Sequence, residues 1–473
     1  MVSTKHLEEG SIPSLILRFS GPAVVGNIVM SIYNVVDRIF IGRGVGPLAL
    51  AGVTIGFPIM MLVNALAALI GIGATALVSI RLGEKKQDEA EKIMGNAFIL
   101  MLALAVILGI VGFIFLDPIL TMFGASAEVL PYAHTYMSYI LLGLVFQITS
   151  FGLNSFIRAE GKPHIAMITM IVGAIINCVL DPILIYGFNM GVRGAAIATV
   201  ASQAVSAIWI VSYFLRGKSM LKIKRKYLKI ELPLTLSIIN VGLPAFFKQI
   251  STSLTVGILN NSLLTYGGDI AISAFGVVHS VMALMLMPIF GISQGIQPII
   301  GYNYGARKFK RVKKAYFSGI LLATAVCVTG FLAISFFPAV FIRLFSDNEA
   351  LLALGVKTMR VHTSLLPVLG FTIIGSNYFQ AVGKPRHAVF LNLARQVFLL
   401  LPALLILPRF FGLMGVWLAT PVADGIASLL TAIAVYFEVR FLNKQSEEQQ
   451  DEQPGEDQEE KHAHSAALCP DIK

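Results

Sequence analysis

A hydrophobic pattern written twice limits this chain more than any other feature. Gly73 to Lys92 reads GATALVSIRLGEKKQDEAEK, and Gly295 to Lys314 reads GIQPIIGYNYGARKFKRVKK. Gly83 and Gly305 align at a shift of 222 (305 − 83), and the same shift pairs Pro22 with Pro244 and Gly161-Lys162-Pro163 with Gly383-Lys384-Pro385. Gly194 and Thr199 match Gly415 and Thr420 at a shift of 221. Landmarks that recur at one spacing over so much of a chain imply two structurally equivalent halves. In membrane proteins such repeats build transporters, with the pathway between the halves.

The chain is apolar enough for a bilayer. Apolar residues make up 56%, charged residues 13%, and mean hydropathy is +0.78, against about 25% charge in a soluble domain. A spanning helix takes about 20 mostly apolar residues. Spans are expected near 13–41, 47–80, 93–116, 131–157, 164–187, 191–214, 235–266, 270–302, 316–338, 355–381, 387–408 and 412–440. The fold class is therefore an all-α integral membrane protein with twelve transmembrane helices in two pseudo-symmetric six-helix bundles. A short segment (1–12) precedes the first bundle (13–214), a linker (215–234) joins the second (235–440), and an acidic, disordered tail (441–473) follows. Pro22, Pro58, Pro244, Pro288 and Pro298 lie inside the apolar runs. Each marks a place where a helix can bend, because proline removes a donor and clashes with the preceding turn.

Basic residues separate by loop. Arg81, Lys85, Lys86 and Lys92, the 215–233 stretch, and the run Arg307 to Lys314 fall on one side, while the alternate loops carry little beyond Arg43, Arg193, Arg343 and Arg409. Positive loops stay inside, so both termini are expected in the cytoplasm and the chain in the cell membrane. The net charge of +10 comes mainly from these loops and gives no reason to expect a nucleic-acid partner. Cys178, Cys327 and Cys469 lack metal-ligand spacing and form no disulfide framework. The N-terminus lacks the layout of a cleavable signal peptide, so the first apolar run is expected to remain as a helix. No cofactor is expected beyond a coupling ion, and nothing calls for more than a monomer.

Polar side chains inside a bilayer are costly and mark function by default. Span 1 carries Tyr33 and Asp37, four apart on one helix face, and span 5 carries Asn177 and Asp181 at the same spacing. Span 6 adds Thr199 and span 4 adds Asn154. Counting back from the expected outer ends at about 1.5 Å per residue, Asp37 lies roughly 6 Å deep, Asp181 roughly 9 Å, Thr199 roughly 12 Å and Asn177 roughly 15 Å. Four residues from three helices thus share one layer, while Asn154 falls near the opposite end of its span. Two carboxylates with oxygen-bearing neighbours suit a proton or a hard cation such as sodium. Structural readings stand beside this: Asp181 before Pro182 caps a helix end, or Asp37 pairs with Arg38. The second half drops the acids, with Leu259 at the place of Asp37 and Leu399 at that of Asn177. It has Lys248, Arg395 and Asp424 instead, and Arg395 with Asp424 forms a candidate ion pair, since isolated charges would be far more costly.

The duplicated six-helix halves, YNVVDRIFIG in span 1, and INCVLDPILIYGFNMGVRGAAIAT in spans 5 and 6 resemble the multidrug and toxic compound extrusion (MATE) family, in its DinF-like, MepA-type branch. The resemblance covers roughly residues 10–440. It implies a V-shaped pair of bundles that exports cationic, lipophilic compounds in exchange for protons or sodium. It also implies a cation site at Asp37, Asn177, Asp181 and Thr199, with Tyr33 and Asn154 lining the same cavity and Pro22 as a hinge in span 1. A second cation site in the C-terminal bundle is not expected, because spans 7 and 10 offer no acid.

The expected function is secondary antiport, with small organic cations, the coupling ion and the lipid bilayer as partners. The alternative is a flippase for a lipid-linked precursor, which would want a basic cavity such as Lys248 and Arg395 provide. No P-loop, HExxH or nucleophile-elbow pattern supports an enzyme.

Overall fold

A chain this apolar must satisfy its backbone hydrogen bonds internally, which a helix does within a single segment. In the computed structural model, which describes residues 5–216, 219–344 and 349–452, no strand occurs among the described residues. The first half comprises α1 (Ile12–Gly44), α2 (Leu48–Gly83), α3 (Gln87–Ile114), α4 (Leu130–Ala159), α5 (Pro163–Gly187) and α6 (Gly191–Arg216). The second comprises α7 (232–267), α8 (Ile270–Gly305), α9 (Phe309–Phe336), α10 (Glu349–His362 with Leu366–Ala381), α11 (Pro385–Phe411) and α12 (Leu413–Glu452). Ten of these are individually long and apolar enough to cross a membrane among the described residues, the exceptions being α7 and α10. Large apolar side chains such as Ile107, Ile110, Leu321 and Leu429 face outward, as they must where the solvent is lipid.

Two expectations need correction, at the tenth span and at the last helix. The tenth span is not one rod: α10 breaks after His362 and resumes at Leu366, because Pro367 opens the second segment. No loop separates the seventh and eighth spans. The helix runs from Leu232 to Gly305 with one break at Gly268, whose φ of 66° is open to glycine. The last helix continues past residue 440 to Glu452, so the start of the stretch read as a disordered tail is helical. Polar residues such as Lys444 and Glu448 form an i,i+4 pair there at 3.8 Å, which supports a helix without an apolar face. Residues 453–473 lie outside the described residues.

Within the first half, α1 packs on α5, α4 on α6, and α2 on both α3 and α4. In the second half α9 packs on α10 and α11 on α12. The halves meet where α1 and α2 press against α7 and α8. The repeated glycines are the reason they can. A Cβ added at Gly83 would land on the backbone carbonyl of Tyr302, and one at Gly305 on that of Ile80. The two sequence-equivalent glycines thus face each other's helix across the seam, at the Lys/Arg-rich end. Only glycine permits such backbone approach. Farther along, Gln249 Nε2 reaches Met61 Sδ at 3.0 Å.

The linker is strapped beneath the first bundle. Glu160, at the end of α4, accepts hydrogen bonds from Ser219 Oγ at 2.5 Å and from the Met220 N–H at 3.0 Å. Lys224 pairs with the buried Glu91, Asn96 Nδ2 donates to the Lys229 carbonyl at 3.0 Å, and Lys92 meets Glu231 at 2.7 Å. Burial raises the Glu160 carboxyl above its ordinary range, against the opposing pull of Ser219 and Lys162.

Candidate functional site

Asp37 comes from the face of α1 that turns toward α5, and it is buried although its neighbour Arg38 is exposed. Arg38 lies over the Phe57 ring at 5.9 Å, and no ion pair joins it to Asp37 among the described residues. Asn177 and Asp181 are fully buried on α5. Asp181 does not cap the helix end. The chain stays helical through Pro182 and continues as a π-helical turn, Ile183–Gly187. Proline supplies no N–H to the preceding turn, and the wider turn absorbs that loss. Such turns recur at functional sites.

Asn177 Nδ2 donates to Asp181 Oδ1 and to Thr199 Oγ1 on α6, both at 3.4 Å. The Asp37 and Asp181 carboxyl groups lie within hydrogen-bonding reach of each other. Tyr33, half-buried one turn before Asp37, is close enough for its phenol to feel both acids. The structure therefore gathers Asp37, Asn177, Asp181 and Thr199 in one buried knot with Tyr33 at its edge. Three of its oxygens, Asp37 Oδ1, Asn177 Oδ1 and Asp181 Oδ2, are buried without a hydrogen-bond partner. Buried acceptors left unmatched cost about 1–3 kcal/mol each. A proton or a small hard cation removes that cost, and the donor set, all oxygen, fits one.

Asn154 does not join them. Its Nδ2 donates to the Ala166 carbonyl at 2.9 Å and to Thr169 Oγ1 at 2.7 Å, and its Oδ1 accepts from Arg158. Thr169 lies eight residues before Asn177 on α5, roughly 12 Å along the axis. Asn154 thus fastens α4 to α5 nearer the basic end, as its depth in the sequence implied. Pro22 is buried within α1, which stays helical through it.

Sequence reasoning missed Tyr136. It is buried on α4, and its hydroxyl faces Thr199 within reach of Asp37 and Tyr33. Its depth gave a signal: five residues into span 4 from the outer end, roughly 8 Å, it belongs to the layer of the acids. A tyrosine is cheap to bury on its ring, so it did not draw attention as an acid does.

The second half has a different polar interior. Arg395 Nε donates to Asp424 Oδ1 at 2.6 Å. Arg395 also lies in a π-helical turn, Ala394–Leu400. Gln396 in that turn donates to Thr252 Oγ1 on α7 at 3.3 Å.

Comparison with known proteins agrees with this repeated architecture. The MatE family model matches residues 22–183 and again residues 244–405, offset by the same 222 residues as the repeat. The chain belongs to the MatE family. Among MatE relatives, the multidrug export protein MepA of Staphylococcus haemolyticus (strain JCSC1435) is 30% identical over 433 residues, 91% of this chain and 95% of that one. The solved MATE multidrug transporter DinF-BH is 41% identical, with a TM-score of 0.84 over 90% of this chain and 96% of that one. An outward-facing MATE family transporter of the MOP superfamily superposes with a TM-score of 0.87 at 27% identity, over 92% and 98% of the two chains. This MatE chain is accordingly a multi-pass membrane protein built as two six-helix bundles in a V.

Proposed function

We propose that this chain is a secondary active multidrug exporter that antiports cationic, lipophilic compounds against protons or sodium, from a cell membrane in which both termini face the cytoplasm. Export relatives along nearly the whole chain support the efflux role. The observation that carries the coupling site is the trio of buried, partnerless oxygens on Asp37, Asn177 and Asp181. Two carboxyl groups this close cannot both hold full charge in a low dielectric, so one of them takes a proton or shares a cation. Binding at Asp37 and Asp181 changes how α1 sits against α5. Pro22, where α1 already lacks one backbone hydrogen bond, is where the helix gives. The antiport cycle requires only that ion and drug favour opposite conformations, or compete for one.

The flippase alternative asks for a basic cavity, yet Arg395 is already matched by Asp424. That leaves Lys248 alone, too little charge for a diphosphate.

The test is efflux of a fluorescent organic cation from proteoliposomes under an imposed proton gradient or an imposed sodium gradient. Wild type is expected to extrude the dye under one of them and so to name the ion. Asp37→Asn and Asp181→Asn are each expected to lose gradient-driven efflux at least 100-fold, roughly 2.7 kcal/mol of coupling. Undiminished efflux in both variants would remove the coupling site from the first bundle. No dye movement under either gradient would overturn the export reading.

A further inference from the structure

The second bundle keeps the scaffold of the first and reverses the sign of the charge it holds. Asp424 is committed to Arg395, with the two side chains 10% and 22% exposed. That leaves one positive charge over. Lys248, midway along α7, has its Nζ 5.2 Å from the centre of the Phe290 ring on α8, and no carboxylate lies within ion-pair distance of it among the described residues. The Arg395 guanidinium is near enough for the two positive charges to act on each other. The pair is flanked by neutral polar groups. Thr252, one turn beyond Lys248, donates to the Lys248 carbonyl at 2.8 Å and accepts from Gln396 at 3.3 Å. Lys248 is only half-buried, and the next residue, Gln249, touches Met61 of the opposite bundle. Lys248 therefore lies one residue along α7 from a contact between the two bundles.

An aromatic ring stabilises an ammonium less than a counter-ion does, and an uncompensated charge at this depth is costly. A ligand carrying an anionic group removes that cost on arrival. We propose that Lys248 is the anion-recognising residue of a cargo site in the second bundle, and that the compounds this chain takes best carry a carboxylate as well as their cationic group. The inference deepens the export reading above and rests on it. The first bundle offers acids to positive charge, the second offers Lys248 to negative charge, and a zwitterion satisfies both. A charge-assisted hydrogen bond is worth roughly ten- to a hundred-fold in affinity.

Rhodamine B and rhodamine B ethyl ester test this, because they share a cationic ring system and differ in one free carboxylate. Binding is read by fluorescence polarisation on the full chain in nanodiscs of phosphatidylcholine, which present no anionic headgroup. Wild type is expected to bind rhodamine B at least about ten-fold more tightly than the ester. Lys248→Met is expected to erase that preference by weakening rhodamine B alone, and Lys248→Arg to keep it. The proposal is overturned by a wild type without preference, by a preference that survives Lys248→Met, or by a Lys248→Met variant that loses both dyes equally. Gradient-driven efflux of the ester reports separately on the export reading. Efflux of the ester with no carboxylate preference sinks the anion site alone, whereas a carboxylate preference without efflux of either dye sinks export alone.

Discussion

The two halves of this chain share helices, glycines and a Gly-Lys-Pro corner, yet they bury opposite chemistry. The first gathers two acids, each with one buried oxygen that lacks a partner. The second neutralises Asp424 with an arginine 2.6 Å away and leaves a lysine over. Even the shared corner is used differently. In the first half Lys162 stands 3.8 Å from Glu160, which also receives the linker strap, whereas in the second Lys384 holds Glu438 of α12 at 2.7 Å. A duplicated scaffold thus fixes where helices lie without fixing what they carry. An unmatched site is ready to change its occupancy, and a matched pair is ready to hold still.

The largest expected contrast lies in stability. Arg395→Met leaves Asp424 buried without its partner, which costs about 3–5 kcal/mol for a buried pair. Its Tm in detergent should fall clearly below that of wild type, and Arg395→Met with Asp424→Leu should recover most of the loss. Asp181→Asn relieves two facing carboxyl groups, so its Tm should match or exceed that of wild type even as efflux disappears. Equal destabilisation by Arg395→Met and Asp181→Asn would erase the distinction between the halves.

A smaller effect is expected at Tyr136, whose hydroxyl faces Thr199. Tyr136→Phe takes one hydroxyl out of the layer of the acids, so the ion concentration giving half-maximal efflux should shift by a few-fold while expression and Tm stay put. An unchanged ion dependence would restrict the site to the other four residues.

The smallest effect belongs to the strap. Burial holds the Glu160 carboxyl above its ordinary range. Ionising it therefore costs more in the folded chain than in the unfolded one. Its contribution to stability is fully present below the ordinary carboxylate value and is lost as pH rises through the raised one. Thermal unfolding of Glu160→Gln should be flatter in pH than that of wild type across that window, with efflux at neutral pH unaltered. A pH profile identical to wild type would show that the strap acts without this carboxyl.

Much of this was legible in the sequence. Hydropathy and the repeat specify two six-helix halves, because a bilayer leaves an apolar chain few alternatives to helices. Depth counting placed Asp37, Asn177, Asp181 and Thr199 in one layer, since the rise per residue is constant along a helix. The same count set Asn154 apart, and the structure shows why it belongs elsewhere: its amide joins α4 to α5 near Thr169. Tyr136 was within reach of that count but gave no energetic signal.

The sequence by itself determined the order of the spans, the duplication, and the layer of the helices in which the acids sit, because each follows from local composition and from distance along the chain. Only the tertiary structure decided which faces meet. It turned Arg38 toward Phe57 and away from Asp37, left three oxygens of the acid cluster without partners, gave Asp424 to Arg395, and set Gly83 and Gly305 against each other's helix. Those outcomes depend on the rotation and packing of helices about their own axes, which a periodic pattern constrains and only side chains in contact can settle.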